Sequence, residues 1–307
     1  MLKVNGLKSH LLESELLLAE SLSSKREDIL IRLDEKMNTQ NYKYFKKLLA
    51  RRKIKEPIAH ILKKKEFWNL DFYINKDVLI PRPSSELIVD ETLKLVSFKS
   101  SEKILDIGTG SGCLIISIIN KRPYCNGTAI DICKKALKVA IYNAKIHQLK
   151  NKINFINIDV DKFNFNKYDF IISNPPYIDK FGIKRLDEEV RLFEPHLALN
   201  GGYDGFSQIK KLIIKSNKLL KNKGKLIFEI GIKQLQFSKF FLHKNGFYIN
   251  KICKDIHYYP RVIVATKIPK WITTEIIEKI DSSQIMIEAL ERDLWLDKKI
   301  ITISDQT

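Results

Sequence analysis

No apolar run in the 307 residues is long enough to span a membrane, which excludes a membrane-embedded helix as the working part. Residues 1–10 lack the order of a secretory leader, so the chain is expected to be cytoplasmic. Cysteine is sparse. Cys113, Cys125, Cys133 and Cys253 include no C-x-x-C pair, which speaks against a disulfide framework or a cysteine metal site and for reduced, incidental thiols. No zinc finger and no RNP-type motif occurs. Acidic residues are outnumbered, 36 against 54 basic ones, for a formal net charge of +18. Such an excess suits an anionic or nucleic-acid partner. The lysines form no single block, however, and Lys, Ile and Asn are abundant throughout, so a binding face and a bias of composition stay equally open.

What is present describes a globular protein. Hydrophobic residues make up 44% and charged residues 29%, and the length allows one large domain with a smaller one. The most informative stretch is Asn174-Pro175-Pro176-Tyr177. It follows residues 168–173, Tyr-Asp-Phe-Ile-Ile-Ser, which read as a buried parallel strand. Ligands of open α/β sheets bind at the carboxyl ends of such strands. Each proline fixes its own φ, lacks an N–H and keeps the residue before it out of the helical region. The loop is therefore stiff. The Asn174 side-chain carbonyl and the Pro175 backbone carbonyl form a pair of acceptors suited to a planar –NH2 group, and Tyr177 offers a ring face beside it. A simple strand-ending proline turn is the plainer alternative.

A second signal lies upstream. Residues 103–107 read as a strand that closes through Asp106 into Gly108-Thr109-Gly110-Ser111-Gly112, and 113–120 continue as an apolar helix. Glycine at 108, 110 and 112 lets backbone approach a ligand closely. The second strand, 128–131, ends on Asp131, about 20 residues past the glycines, where an acid accepts hydrogen bonds from ribose hydroxyls. Residues 134–147 form the crossover helix and 153–157 the third strand. In a sheet of order 3-2-1-4-5 the first and fourth strands are neighbours, so the glycine turn and the Asn-Pro-Pro-Tyr loop face one crevice. A nucleoside site beside an amino-group clamp describes methyl transfer from S-adenosylmethionine to a planar nitrogen.

Residues 11–52 carry helical periodicity with a break at Ser21–Ser24, and nothing there resembles catalytic chemistry. Alternation from Phe67 to Ile74 suggests a hairpin. Arg82, held between Pro81 and Pro83, is stiffly presented to a carboxylate or a partner. His60 reads as a packed or surface histidine.

These residues resemble the HemK-family release factor glutamine methyltransferases. The resemblance rests on Glu56-Pro-Ile-Ala, Phe67-Trp-x-Leu-x-Phe72, Leu79-Ile-Pro-Arg-Pro83, Asp106 to Gly112 and Asn174-Pro-Pro-Tyr-Ile178. It continues through Glu194-Pro, Ala198-Leu-x-Gly-Gly-x-Asp-Gly205, Glu229-Ile-Gly231 and Arg261-Val. It implies an α/β fold: a Rossmann-like seven-stranded S-adenosylmethionine-dependent methyltransferase domain, with a small helical amino-terminal domain and a hairpin linker. The divisions expected are a helical substrate-docking part at 1–65, the linker at 66–95, the methyltransferase domain at 96–267 and a helical extension at 268–307. The implied substrate is the Gln of the Gly-Gly-Gln loop in class 1 peptide chain release factors, and the product N5-methylglutamine. No membrane and no stable nucleic-acid partner is implied, and no metal. The cofactor residues are Asp106, Gly108, Thr109, Gly110, Ser111, Gly112, Asp131 and Asn174. The substrate amide falls to Asn174, Pro175, Pro176 and Tyr177, with Arg82 nearby.

Two departures from the family pattern stand out. Ser84-Ser85 replace an acid and Thr after Pro-Arg-Pro, and their hydroxyls are expected to cap a helix starting near Glu86. Asp159-Val160 stand where the family often has an aromatic, so Val160 is expected against the adenine. No His or Lys base is evident beside the loop, so catalysis is expected to come from positioning. A nucleic-acid amino-methyltransferase, a non-catalytic cofactor binder and a dinucleotide oxidoreductase are the competing readings, in that order. Residues 274–296 have the spacing of one or two amphipathic helices.

Overall fold

A computed structural model describes residues 9–31 and 34–269. The helices expected at 274–296 lie outside the described residues. Four helices come first: α1 (His10–Leu22), α2 (Arg26–Ile31), α3 (Thr39–Lys53) and α4 (Ile58–Leu62). Helix α1 stops where Ser23 turns left-handed, inside the expected serine break. Helix α3 starts where the Asn38 side chain accepts from the Asn41 N–H at 2.8 Å, satisfying one of the orphan donors of its first turn. Leu17, Leu48 and Ile61 close a small core between these helices. Arg52, its side chain 4% exposed, holds Glu13 of α1 through two nitrogens and reaches Glu189 at 3.0 Å.

A hairpin follows, β1 (Lys64–Phe67) and β2 (Leu70–Tyr73), paired antiparallel. It begins three residues before the alternation suggested. The reason is its turn: Trp68 and Asn69 both adopt positive φ, the two-residue geometry whose twist matches a hairpin. The Trp68 N–H is taken up by Glu86 at 3.0 Å. Phe67, Phe72, Ile74, Val78 and Ile80 are buried in the same cluster as the helices described next.

The remaining elements are α5 (Glu86–Leu95), β3 (Lys103–Ile107), α6 (Cys113–Lys121), β4 (Asn126–Asp131), α7 (Lys134–Ile146), β5 (Ile153–Asn157), β6 (Tyr168–Ser173), α8 (Glu188–Phe193), α9 (Ser207–Leu219), β7 (Leu220–Glu229), α10 (Leu235–Lys244), β8 (Phe247–Lys254) and β9 (Pro260–Lys267). Seven strands form one sheet in the order β5-β4-β3-β6-β7-β9-β8. The first five run parallel, and β9 pairs antiparallel with β7 and β8. The expected 3-2-1-4-5 order is therefore present, with β3 and β6 adjacent. Period-two alternation sorts the strand residues between the two faces. Ile104, Phe170, Ile172 and Ile227 pack with α5, α6 and α7, whereas Leu105, Ile107, Ile171 and Phe228 pack with α9 and α10. Both faces are covered, which is why these strands read as continuous apolar runs.

Candidate active site

Three glycines at the end of β3 do two different jobs. Gly108, Gly110 and Gly112 all have positive φ, at +73°, +56° and +81°. A Cβ on Gly108 or Gly110 would meet nothing within 4 Å, so these two border open space. A Cβ on Gly112 would lie 2.8 Å from Ile116 Cδ1 and 3.2 Å from Ala140 Cβ, so Gly112 lets α6 and α7 close together. Thr109 and Ser111 are buried. The Ser111 carbonyl accepts from Asn143 Nδ2 at 2.9 Å, and Asn143 also holds Tyr73 of the hairpin.

Two acids frame the turn. Asp106 is fully buried, and its Oδ2 accepts from Thr109 Oγ1 at 2.7 Å. Its Oδ1 is buried without a partner. Burial pushes this carboxyl up to about 7, against the pull of the Thr109 hydroxyl. Asp131 uses one oxygen on the Gly110 N–H at 2.9 Å and the other on the Cys133 N–H at 2.8 Å. Burial raises it too, and the two N–H donors oppose that. An open, glycine-bordered cradle, an orphaned acid oxygen and a second acid with lone pairs to spare fit a nucleoside carrying hydroxyl and ammonium donors. Val160 sits half-buried in a short turn and packs against the second core cluster, as Ile156, Ile158 and Tyr177 do.

The Asn-Pro-Pro-Tyr loop is pinned beside that cradle. Ser173, the last residue of β6, donates to the Ile107 carbonyl at the end of β3 at 2.7 Å. Pro175 is buried, and Asn174, Pro176 and Tyr177 are half-buried. Asn174 Nδ2 donates to Ser85 Oγ at 2.8 Å, which turns Oδ1 away from Ser85. Ser85 Oγ in turn donates to Glu229 Oε2 at 2.5 Å. Glu229, at the end of β7, is wholly buried, and its Oε1 receives Tyr177 Oη at 3.0 Å and Ser84 Oγ at 3.4 Å. Burial raises Glu229, and the hydroxyl donors and Arg261 oppose this. Burial, then the neighbouring Glu229, drives the Tyr177 hydroxyl above its ordinary range.

The expected cap before α5 is corrected by these contacts. Ser85 occupies the position before Glu86, but no side-chain hydrogen bond caps the helix. Its hydroxyl donates to the buried Glu229 carboxylate and its oxygen accepts from Asn174 Nδ2, so it caps no N–H of the helix.

The back of the loop is held by glycine and glutamine. Gln234 Nε2 donates to the Tyr177 carbonyl at 3.0 Å and to the Gly205 carbonyl at 2.9 Å, while its Oε1 accepts from the Gly231 N–H. A Cβ on Gly201 would lie 2.8 Å from the Tyr177 backbone, and one on Gly205 2.7 Å from the Tyr177 carbonyl. The Gly-Gly-x-Asp-Gly segment thus serves close approach to the loop.

Arg82 Nη2 pairs with Glu194 Oε1 at 2.5 Å, and Glu194 Oε2 accepts from the Ile80 N–H at 3.0 Å. The Arg82 side chain stays about one-third exposed while Glu194 is buried. Burial lifts Glu194 upward, against Arg82. His60 is buried, and burial lowers it, in line with a packed histidine. Sequence reasoning missed Ser85, Glu229 and Gln234 as site residues. Glu229 stands at the carboxyl end of a strand beside two glycine-bordered turns, a position that marks a site in this topology. Nothing local in the sequence distinguishes Gln234.

A glycine cradle at the first strand of an open sheet, an acid closing the second and a stiff Asn-Pro-Pro-Tyr loop closing the fourth are the layout of a nucleoside-dependent methyltransferase. A family profile described as "Methyltransferase small domain" matches residues 83–190, and one described as "PrmC N-terminal domain" matches residues 1–62. A release factor glutamine methyltransferase of Caulobacter vibrioides is 32% identical over 87% of this chain and 93% of its own length. One of Fusobacterium nucleatum is 35% identical over 91% of this chain and 79% of its own length. The chain belongs to the release factor glutamine methyltransferase family. It also matches bifunctional methyltransferases of Rickettsia felis and Rickettsia prowazekii, at 33% and 36% identity over 86% and 82% of this chain, and spans about half of their length. A methyltransferase of Pyrococcus furiosus shares the fold, with a TM-score of 0.50 and 20% identity over 73% of this chain and 98% of that one. No helix among the described residues is long and apolar enough to cross a membrane.

Proposed function

We propose that the chain methylates the side-chain amide nitrogen of the Gln in the Gly-Gly-Gln loop of class 1 peptide chain release factors, giving N5-methylglutamine. S-adenosylmethionine, when bound, would supply an electrophilic methyl group: the methyl–sulfur bond breaks as the N–C bond forms, S-adenosylhomocysteine is left, and one amide proton is lost late, to solvent. The observation that carries the reading is the Asn174 amide: its NH2 end is committed to Ser85, so its carbonyl end is the one offered to a ligand. With the Pro175 carbonyl it accepts the two N–H bonds of a primary amide. An amide nitrogen is a weak nucleophile, its lone pair being delocalised into the carbonyl. The two acceptors hold it in one orientation and stabilise the positive charge that grows on it. The rigid prolines keep the pair fixed, so no reorganisation is needed as charge develops.

On this reading Asp131 holds the ribose hydroxyls, the backbone from Gly108 to Gly112 approaches the cofactor, Val160 packs on the adenine, and Asp106 Oδ1 takes an ammonium donor. Arg82 and Glu194 stiffen the segment beside the substrate entrance. Residues 1–65 would dock the substrate, 66–95 would link, 96–267 would catalyse, and 268–307 would extend the catalytic part.

The test is transfer of label from S-adenosylmethionine to an unmodified release factor and to its Gln→Ala loop variant, alongside total RNA and DNA. Label is expected in the first alone. Asn174→Ala is expected to lower turnover by roughly 10²-fold to 10³-fold, with cofactor affinity little changed. Label in nucleic acid only, or full turnover in the variant, would overturn the proposal.

A further inference from the structure

We propose that Glu229 is a positioning residue that acts through Ser85 to lock the side-chain amide of Asn174 with its oxygen facing the substrate. An asparagine amide has two nearly isosteric ends, one donating and one accepting. Only one orientation serves a substrate –NH2; the flipped one would set two donors against each other. Asn174 has no means of its own to choose between them. The choice is made by the polarity of the hydrogen-bond chain behind it.

That polarity starts at Glu229. As a carboxylate, Glu229 is an acceptor only. It receives hydroxyls from three directions: Ser85 on Oε2 and, on Oε1, Tyr177 at 3.0 Å and Ser84 at 3.4 Å. Having donated its one proton to Glu229, Ser85 Oγ keeps only lone pairs for Asn174. It therefore faces the Asn174 NH2 end, at 2.8 Å. Ser85 is 2% exposed and Glu229 0%, so no water competes for these bonds. A buried carboxylate without an ion pair of its own is costly to keep. Its role here accounts for it: hydroxyls alone could run the chain in either direction, whereas an anion fixes it.

The same chain explains the Ser84-Ser85 departure. The hydroxyl at 85 is retained for the relay, and the one at 84 adds a third donor to Glu229. The charged groups facing this cluster are Arg261 towards Glu229 and Tyr177, and Arg82 towards Tyr177. Arg261 and the hydroxyl donors favour the ionised carboxylate, and burial, the larger effect, opposes them. Protonation of Glu229 would let it donate to Ser85, reverse the relay and release the Asn174 amide. Turnover at saturating cofactor would then fall on the acid side.

The inference rests on the proposed amide methylation for its kinetic arm, and it has a second arm that does not. In the ligand-free protein, the side-chain NH2 protons of Asn174, assigned by nitrogen-edited magnetic resonance, are read in the wild type, Ser85→Ala and Ser85→Thr. The wild type and Ser85→Thr are expected to show one slowly exchanging proton, and Ser85→Ala to lose that protection. Kinetically, Ser85→Ala is expected to lower kcat by roughly 10²-fold, the size of a lost charge-stabilising contact, with KM for the release factor and cofactor affinity nearly unchanged. Ser85→Thr is expected to restore it. Glu229→Gln is expected to abolish the acid limb of the kcat–pH profile. Unchanged Asn174 protons in Ser85→Ala would overturn the relay, as would wild-type turnover in that variant or an acid limb that survives Glu229→Gln. If no release factor is methylated by the wild type, the functional reading fails, and the proton signals still decide the relay.

Discussion

Asp106 shows at the scale of one residue how a site stores an unmet demand. A buried acid with one satisfied and one orphaned oxygen is held up to about 7 by burial. The folded protein therefore keeps a proton that the unfolded chain, with the ordinary value of 3.8, has released. The contribution of Asp106 to folding stability of the ligand-free protein falls as pH rises from about 4 to about 7, by at most on the order of 4 kcal/mol, and levels off above. Thermal unfolding of Asp106→Asn across this range is expected to lose that slope. If an ammonium group of the cofactor meets Oδ1, binding near pH 6 releases a proton in the wild type and none in the variant. Calorimetry in two buffers of different ionisation enthalpy measures this.

The glycine turn makes the argument at the scale of an element. Its three glycines look alike in sequence and share positive φ, but they face different surroundings. Gly112→Ala would force a methyl against Ile116 and Ala140, so it is expected to destabilise the fold by about 2–4 kcal/mol, overpacking and left-handed strain together. Gly110→Ala meets only open space, so it is expected to cost about 1–2 kcal/mol of strain and to act chiefly on cofactor affinity. Unfolding midpoints and cofactor titration separate the two. The Asn-Pro-Pro-Tyr loop is built likewise from stiff residues clamped from behind. Gln234 bonds the Tyr177 and Gly205 carbonyls and the Gly231 N–H together, so Gln234→Ala is expected to loosen the loop and speed amide exchange at Ile178.

In the whole molecule, one arginine joins the helical start of the chain to the sheet domain. Arg52 of α3 meets Glu13 of α1, the Glu56 carbonyl and Glu189 of α8, with its side chain almost fully buried. Removing it leaves Glu13, 12% exposed, without its partner, at a cost of about 3 kcal/mol. Arg52→Ala is therefore expected to raise hydrogen exchange in α1 and α3 while the central strands keep their protection. Lys55 adds a second, exposed link to Glu188, worth little by itself.

The sequence alone determined the first four parallel strands, their order and the two loops that meet at the crevice, whereas β7, β8 and β9 entered only through the seven strands the resemblance implied. Buried parallel strands are long apolar runs, and glycine and proline impose backbone geometry wherever they stand. Those signals are local, so they survive without coordinates. The hairpin was legible as alternation, but its turn was not, because Trp68 is not a residue that advertises positive φ. What only the tertiary structure decided is which partner each polar side chain takes. Ser85 was expected to cap a helix and instead donates to Glu229, 144 positions away. Arg82 found Glu194 across 112 positions, and Gln234 reached Tyr177 across 57. A hydroxyl or an amide bonds whatever the fold brings within about 3 Å of it, and that distance is set by the packing of the whole sheet, not by its neighbours in the chain.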